Sequence, residues 1–209
     1  MVCTALCPAC GMRYVSESPE DRRSHRRHHN KQTLRFPARP LKTDRIVWQE
    51  GNERITAVNF RSHRAQKARA NLVSSVANRD THFDFPAYVP SDCPDNSDIH
   101  MFLLYQGTFI IGLVVLGKLP QRWECTWQEY REHEFRDIAN PPTEWAVNFA
   151  WVARSKRRMG FARRLIAEAA RYFTITPARL GWTTPLTEPE GEALARAVCP
   201  EGIHIADIP

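Results

Sequence analysis

The chain has 209 residues, 43% of them hydrophobic, which allows a buried core and excludes a disordered chain. It has no run of about 20 apolar residues and no charged-then-apolar leader, so neither a membrane-spanning helix nor a secretion signal is predicted, and an intracellular protein is expected. The net charge is +6, and the first 45 residues hold all of that excess, ten basic side chains against four acidic ones, so an anionic partner is expected to meet that end first.

The N-terminal segment carries the strongest local pattern. Cys7 and Cys10 are two residues apart, fourteen residues then intervene before His25, and His29 follows four positions later. Two thiolates and two imidazoles at this spacing predict a closed tetrahedral zinc site, structural because no ligand position stays open. His28, three positions from His25, meets the same geometry, and Cys3 is an alternative thiol. The other cysteines, Cys93, Cys125 and Cys199, are scattered singly, which points to reduced thiols rather than disulfides. Ser18-Pro19-Glu20-Asp21 reads as a helix start, with a capping hydroxyl, proline at the first turn and acids behind it. Residues 1–30 are thus expected to form a small ββα-like finger whose folding depends on the metal. Its helix carries Arg22, Arg23, Arg26 and Arg27, which suit non-specific phosphate contact, since one finger spans about three base pairs. Docking of a protein through the finger is equally compatible.

Residues 31–43 contain two prolines and several cations without a clear period and read as a basic linker. Residues 45–48 predict a short strand. Residues 61–78 predict a helix, with Ala65, Ala68, Leu72 and Val76 carrying its period. Proline-rich residues 78–97 read as a long loop. Residues 99–105 and 109–117 are apolar runs joined by Gln106-Gly107-Thr108, the pattern of a hairpin. Residues 122–136 give no clear period. Residues 144–152 predict a strand with Trp145, Val147, Phe149 and Trp151 on one face. Residues 160–172 and 188–198 predict helices, the first with Ala162, Leu165, Ile166 and Ala169 inward, and Ile203 and Ile205 suggest a closing strand. Strands interrupted by helices over residues 44–209 make a single α/β (α+β) domain.

The chemistry is expected where the strand at 144–152 runs into Arg154-Ser155-Lys156-Arg157-Arg158-Met159-Gly160 and then a helix. Glycine lets a ligand approach the backbone, and the unpaired N–H groups of a helix start favour an anion, so the segment is built for a pyrophosphate. Lys156, Arg157, Arg158 and Arg163 add positive charge.

Arg157-x-x-Gly160-x-Ala162 resembles the acetyl-CoA loop of the GNAT superfamily. The wider chain resembles the cohesin (establishment-of-cohesion) acetyltransferases. Their finger pattern is matched by Cys7, Cys10, Gly11, Met12, Tyr14, Ser18, Pro19, Glu20, Asp21, His25, His29 and Asn30, which selects His29 over His28. Their Arg-Ile-Val strand is matched by Arg45-Ile46-Val47, and their cofactor segment by Trp151, Val152, Arg157, Arg158, Ala162 and Arg164, with Leu194, Ala195 and Cys199 a looser match. The resemblance implies a GNAT fold with a mixed central sheet, acetyl-CoA as cosubstrate, structural Zn2+, and acetyl transfer to a lysine of a protein. It implies cofactor contact for Trp151, Val152, Ala153, Arg157, Arg158, Met159, Gly160, Phe161, Ala162 and Arg163. In place of the family's Ser-Asp-Pro-Thr-Pro-Asp-Gly segment stands Thr183-Thr184-Pro185-Leu186-Thr187-Glu188-Pro189-Glu190-Gly191, so Thr184 replaces the aspartate implicated in catalysis. The fold and cofactor therefore carry over, while the cohesin substrate does not. Glu144, on the strand before the loop, is the expected base that frees the amine of its proton; Glu188 is the reserve, and Thr184 can hold substrate or water. A silent binding module and a small-amine acetyltransferase are the competing readings. Location would be nuclear in a eukaryote and cytoplasmic in a prokaryote.

Overall fold

The computed structural model describes residues 4–8, 10–32, 36–81, 98–187 and 189–206. Strands β1 (Thr4–Leu6) and β2 (Arg13–Val15) pair antiparallel, and helix α1 (Pro19–Gln32) follows. The Ser18 hydroxyl accepts the Asp21 N–H at 3.2 Å, which caps the helix as its residue type predicts. The Asp21 carboxylate accepts from the Val15 N–H at 2.9 Å and ties α1 to the hairpin.

The body of the chain is one large mixed sheet with helices on both faces. In chain order it adds β3 (Phe36–Pro37), β4 (Arg45–Glu50), β5 (Glu53–Val58), α2 (Arg64–Thr81), β6 (Ile99–Gln106), β7 (Phe109–Cys125) and α3 (Trp127–Glu132). Then come β8 (Arg136–Asp137), β9 (Thr143–Val152), α4 (Phe161–Tyr172), β10 (Gly181–Thr183), α5 (Glu190–Val198) and β11 (Ile203–Ala206). The sheet order is β11-β10-β9-β7-β6-β5-β4, with β3 and β8 also on β7. All pairs are antiparallel except β10 with its neighbours β9 and β11, which run parallel to it. The β6–β7 hairpin is the predicted one, with Gln106 facing Phe109 across the turn.

Four expectations are corrected. Part of the stretch read as linker joins the sheet: Phe36–Pro37 pairs with β7, and Ala38 is buried and bonded to Thr108. The strand β5, which was not predicted, pairs with β6 along its whole length. Helix α2 runs on to Thr81, and its inward face is Gln66, Ala70, Val73, Ala77 and Asp80, while Leu72 is 56% exposed. The spacing of that face is helical throughout, but polar residues stand at both of its ends and disguise it. The rest of the expected loop, 82–97, lies outside the described residues.

The fourth correction concerns β9. Val115 pairs with Phe149 and Leu116 with Val147, so Asn148 is an extra residue on β9. Such a bulge inverts the alternation of side chains beyond it. Trp145 and Val147 pack on the α4 face, whereas Phe149 and Trp151 pack on the α2 face. The four residues expected on one face are thus divided between two cores.

Candidate functional site

In the finger, the ligand atoms of Cys7, Cys10, His25 and His29 lie within 4.8 Å of one another. Cys7 is buried, its Sγ is 3.3 Å from Nδ1 of His29, and the Tyr14 ring stacks on His25 with centroids 3.9 Å apart. Two thiols and two imidazoles converging on one point are the donor set that suits zinc, and the residues fit it. Cys3 lies outside the described residues.

The bulge at Asn148 marks a second site. Beside it, β9 and β10 pair only at Ala146–Gly181 and Val147–Trp182. The Thr183 hydroxyl then bonds the carbonyl oxygens of Val147 (3.4 Å) and Asn148 (3.1 Å), and β10 ends, while β9 continues to Val152. The strands therefore part, and the β9 backbone beyond Asn148 keeps no strand partner on its β10 side among the described residues. A strand edge with no neighbouring strand can take an extended, amide-bearing ligand along its backbone. The Asn148 side chain lies against Gly117, where an added Cβ would come within 2.9 Å of its Nδ2. Glycine at 117 gives the bulge its room.

At the end of β9 the chain turns through a short 3-10 segment, Arg154–Lys156, into Gly160 and α4. Gly160 has φ 81°, a left-handed conformation that glycine adopts without strain, and nothing lies within 4 Å of where its Cβ would be. No side chain caps α4, so its first N–H groups face outward with the positive end of the helix dipole.

The cations of this turn divide by role. Asp80, with a side chain 0% exposed, accepts from Nε of Arg154 (2.5 Å), Nη2 of Arg157 (2.6 Å) and Nε1 of Trp151 (2.8 Å). Arg157 also donates to the Val152 carbonyl at 3.0 Å. Arg154 and Arg157 thus fix the turn to the end of α2. Arg164 bonds Glu53 at 2.8 Å and stacks over Trp48, fixing α4 to the edge of the sheet. Among the described residues no ion pair holds Lys156, Arg158 or Arg163, and their charge is available to an anion. Trp151, Val152, Ala153 and Phe161 are buried; Ala162 is half-buried, and Met159 is 60% exposed. Asp80 was missed because it fell in the expected loop; its signal was its place on the Gln66–Ala70–Val73–Ala77 spacing.

The candidate catalytic residues are not brought together. Glu144 is exposed at the start of β9, paired across to Leu119. Thr184 is half-buried, one residue beyond the β10 contact with Asn148. Four residues separate Glu144 from Asn148, about 13 Å along an extended strand. Glu188 lies outside the described residues. Beside Thr184, the Leu186 N–H donates to the Tyr130 hydroxyl at 3.3 Å, so α3 holds this loop.

Residues 2–31 match the family model for the zinc-finger of acetyl-transferase ESCO. Mouse N-acetyltransferase ESCO2 is 24% identical over 94% of this chain and 33% of its own length. N-acetyltransferase ECO1 of Candida glabrata is 22% identical over 86% of this chain and 78% of its own. The chain resembles the ESCO acetyltransferases. It spans about a third of the length of the mouse, human and zebrafish ESCO2 proteins it matches. The xEco2 acetyltransferase domain, solved bound to a K105–CoA conjugate, superposes with a TM-score of 0.62 at 16% identity, covering 79% of this chain and 99% of that one. A second structure of the xEco2 acetyltransferase domain gives 0.60 over 81% of this chain and 99% of that one. The GNAT fold expected from the sequence, with its mixed sheet and N-terminal finger, is the fold of this ESCO-like chain.

Proposed function

We propose that the protein is an acetyl-CoA-dependent N-acetyltransferase acting on a lysine of a protein. One observation carries the reading: the parting of β9 from β10 at the Asn148 bulge, leading straight to the uncapped, glycine-entered start of α4. This pairs a groove for an extended amide-bearing chain with a seat for a pyrophosphate. The free cations Lys156, Arg158 and Arg163 and the outward N–H groups of Phe161, Ala162 and Arg163 hold the phosphates. Acetyl-CoA supplies the acetyl group as an activated thioester. The β9 backbone beyond Asn148 orients it, and a backbone N–H there stabilises negative charge on the carbonyl oxygen. Glu144 is the proposed base for the acceptor amine, and from the start of β9 it serves an amine held near its own end of the strand, directly or through one water, rather than one held at the bulge. Thr184 holds the acceptor or that water.

The relatives that match come from animals and a yeast, and a nuclear location follows if this chain shares their setting. Among the described residues no helix is long and apolar enough to cross a membrane. A hydroxyl at Thr184 where the family has a carboxylate favours one second reading, a silent module that binds acetyl-CoA without turnover.

Melting with and without acetyl-CoA tests the reading. At about a hundred times its dissociation constant, the ligand is expected to add roughly 2.7 kcal/mol to stability. A shift with turnover on a lysine-bearing protein supports the enzyme; a shift without turnover supports the silent module; no shift sinks both. Glu144→Gln is expected to lower kcat and keep the melting shift, and unchanged kcat would remove Glu144 from its role.

A further inference from the structure

Helix α1 presents a face that no other described part of the protein uses. Arg22, Arg23, Arg26 and Arg27 are exposed, and among the described residues no ion pair involves them. At 100° per residue they fall within an arc of about 140°, in two rows that rise about 6 Å from one arginine to the next. Asp21, bonded to the hairpin through Val15, lies roughly opposite on the helix, so the arginine arc points away from the finger's own core. A groove along this face is lined by Ser18, Pro19, Glu20, Arg23, Arg26 and Arg27, with Glu20 its one acid. The first 45 residues, which include α1, hold the charge excess of the whole chain.

We infer that the outward face of α1 binds the phosphate backbone of duplex nucleic acid without reading its sequence. In fingers that read DNA, the helix residues at positions −1, 3 and 6 reach the bases. Counted from Pro19, these are Ser18, Asp21 and Ser24. Ser18 caps its own helix and Asp21 is bonded to Val15, so neither is free for a base. The arginines instead offer forked donors that match phosphate oxygens. An acidic protein is the lesser fit, because stable protein interfaces need an apolar centre. Of the exposed large apolar side chains, Leu6, Ile46, Leu72, Phe135 and Met159, none belongs to α1. The inference goes beyond the acetyltransferase reading and does not rest on it.

The test uses the zinc-loaded full chain and a labelled duplex of about 30 base pairs of random sequence, followed by fluorescence anisotropy. Four neutralised phosphates predict that log K falls with log salt at a slope of about −3.6, or roughly 150-fold between 50 and 200 mM. A second, unrelated duplex is expected to bind equally well. The fourfold variant R22Q/R23Q/R26Q/R27Q is expected to keep one zinc and lose the binding. Should that variant release zinc, R22Q/R26Q and R23Q/R27Q take its place, and each is expected to halve the slope. An unchanged slope in both, no binding by the wild type at 50 mM salt, or binding of polyglutamate in place of the duplex overturns the inference.

Discussion

Asp80 is a single carboxylate with three donors from the strand and turn that lead to the proposed phosphate seat. Its partners Arg154 and Arg157 are 61% and 37% exposed, so water screens part of each pair. Breaking a buried pair costs about 3–5 kcal/mol, and this exposure reduces the expected loss for Asp80→Asn to about 1–3 kcal/mol. The two arginines would then be free to move, and the turn with them. Denaturant unfolding measures the first effect. Titration with CoA measures the second, where affinity is expected to fall although Asp80 touches no ligand. The cysteines make a contrasting case. Burial pushes the Cys125 thiol up to about 11, with Glu129 adding to the rise, and burial also raises Cys199. Only the thiolate attacks an electrophile, so at pH 8 both are expected to resist a thiol reagent in the native protein. Cys125 is expected to react only as the pH approaches its raised value or the protein unfolds; rapid labelling of either residue at pH 8, located by peptide mapping, contradicts their burial.

At the scale of the element, the turn into α4 shows what a glycine contributes. Gly160→Ala places a methyl group in open space, so no atom is displaced. The cost is conformational, about 1–2 kcal/mol for an L-residue in the left-handed region. The same methyl stands where the proposed phosphate would approach the first N–H groups, and acetyl-CoA affinity is expected to drop by more than stability does. Melting curves with and without acetyl-CoA separate the two effects; a parallel loss in both would place the ligand elsewhere. The sequence made this element legible because strand, cations, glycine and helix stand in one continuous run. Helix α2 was legible as a helix and misread in its facing, because its inward stripe begins at Gln66 and ends at Asp80, and periodicity weighs only apolar residues. The bulge was hidden for a related reason. Trp145, Val147, Phe149 and Trp151 alternate without a flaw, and the extra residue shows only when β9 is laid against β7.

For the whole molecule, finger and sheet are joined through a stretch that does more than connect, since Phe36–Pro37 pairs with β7 and Ala38 is buried beside it. The finger has a hairpin of two three-residue strands and one helix, too little to bury a core unaided, so its stability comes from the metal. Zinc removal by a chelator is expected to melt residues 4–32 and leave the sheet folded, visible as loss of helical circular dichroism with the acetyl-CoA melting shift retained. Loss of that shift would make the finger part of the cofactor site. The zinc ligands and the glycine-entered turn into α4 could be named from sequence because each lies within a short span. Asp80 and Thr183, which act on residues more than thirty positions away, could not be.

The extra residue at Asn148 has a consequence for how such a chain can change over time. A strand counts in twos, and this one changes from odd to even partway along. Trp145 faces α4 and Trp151 faces α2 only because an unpaired residue stands between them. Removing Asn148 would exchange the two sides for every residue that follows, turning the Trp151 indole away from Asp80 and carrying the arginines of the turn with it. Adding one residue before Arg154 would do the same. Length on this stretch is therefore locked in parity, and insertions or deletions here are tolerated only in pairs, or not at all.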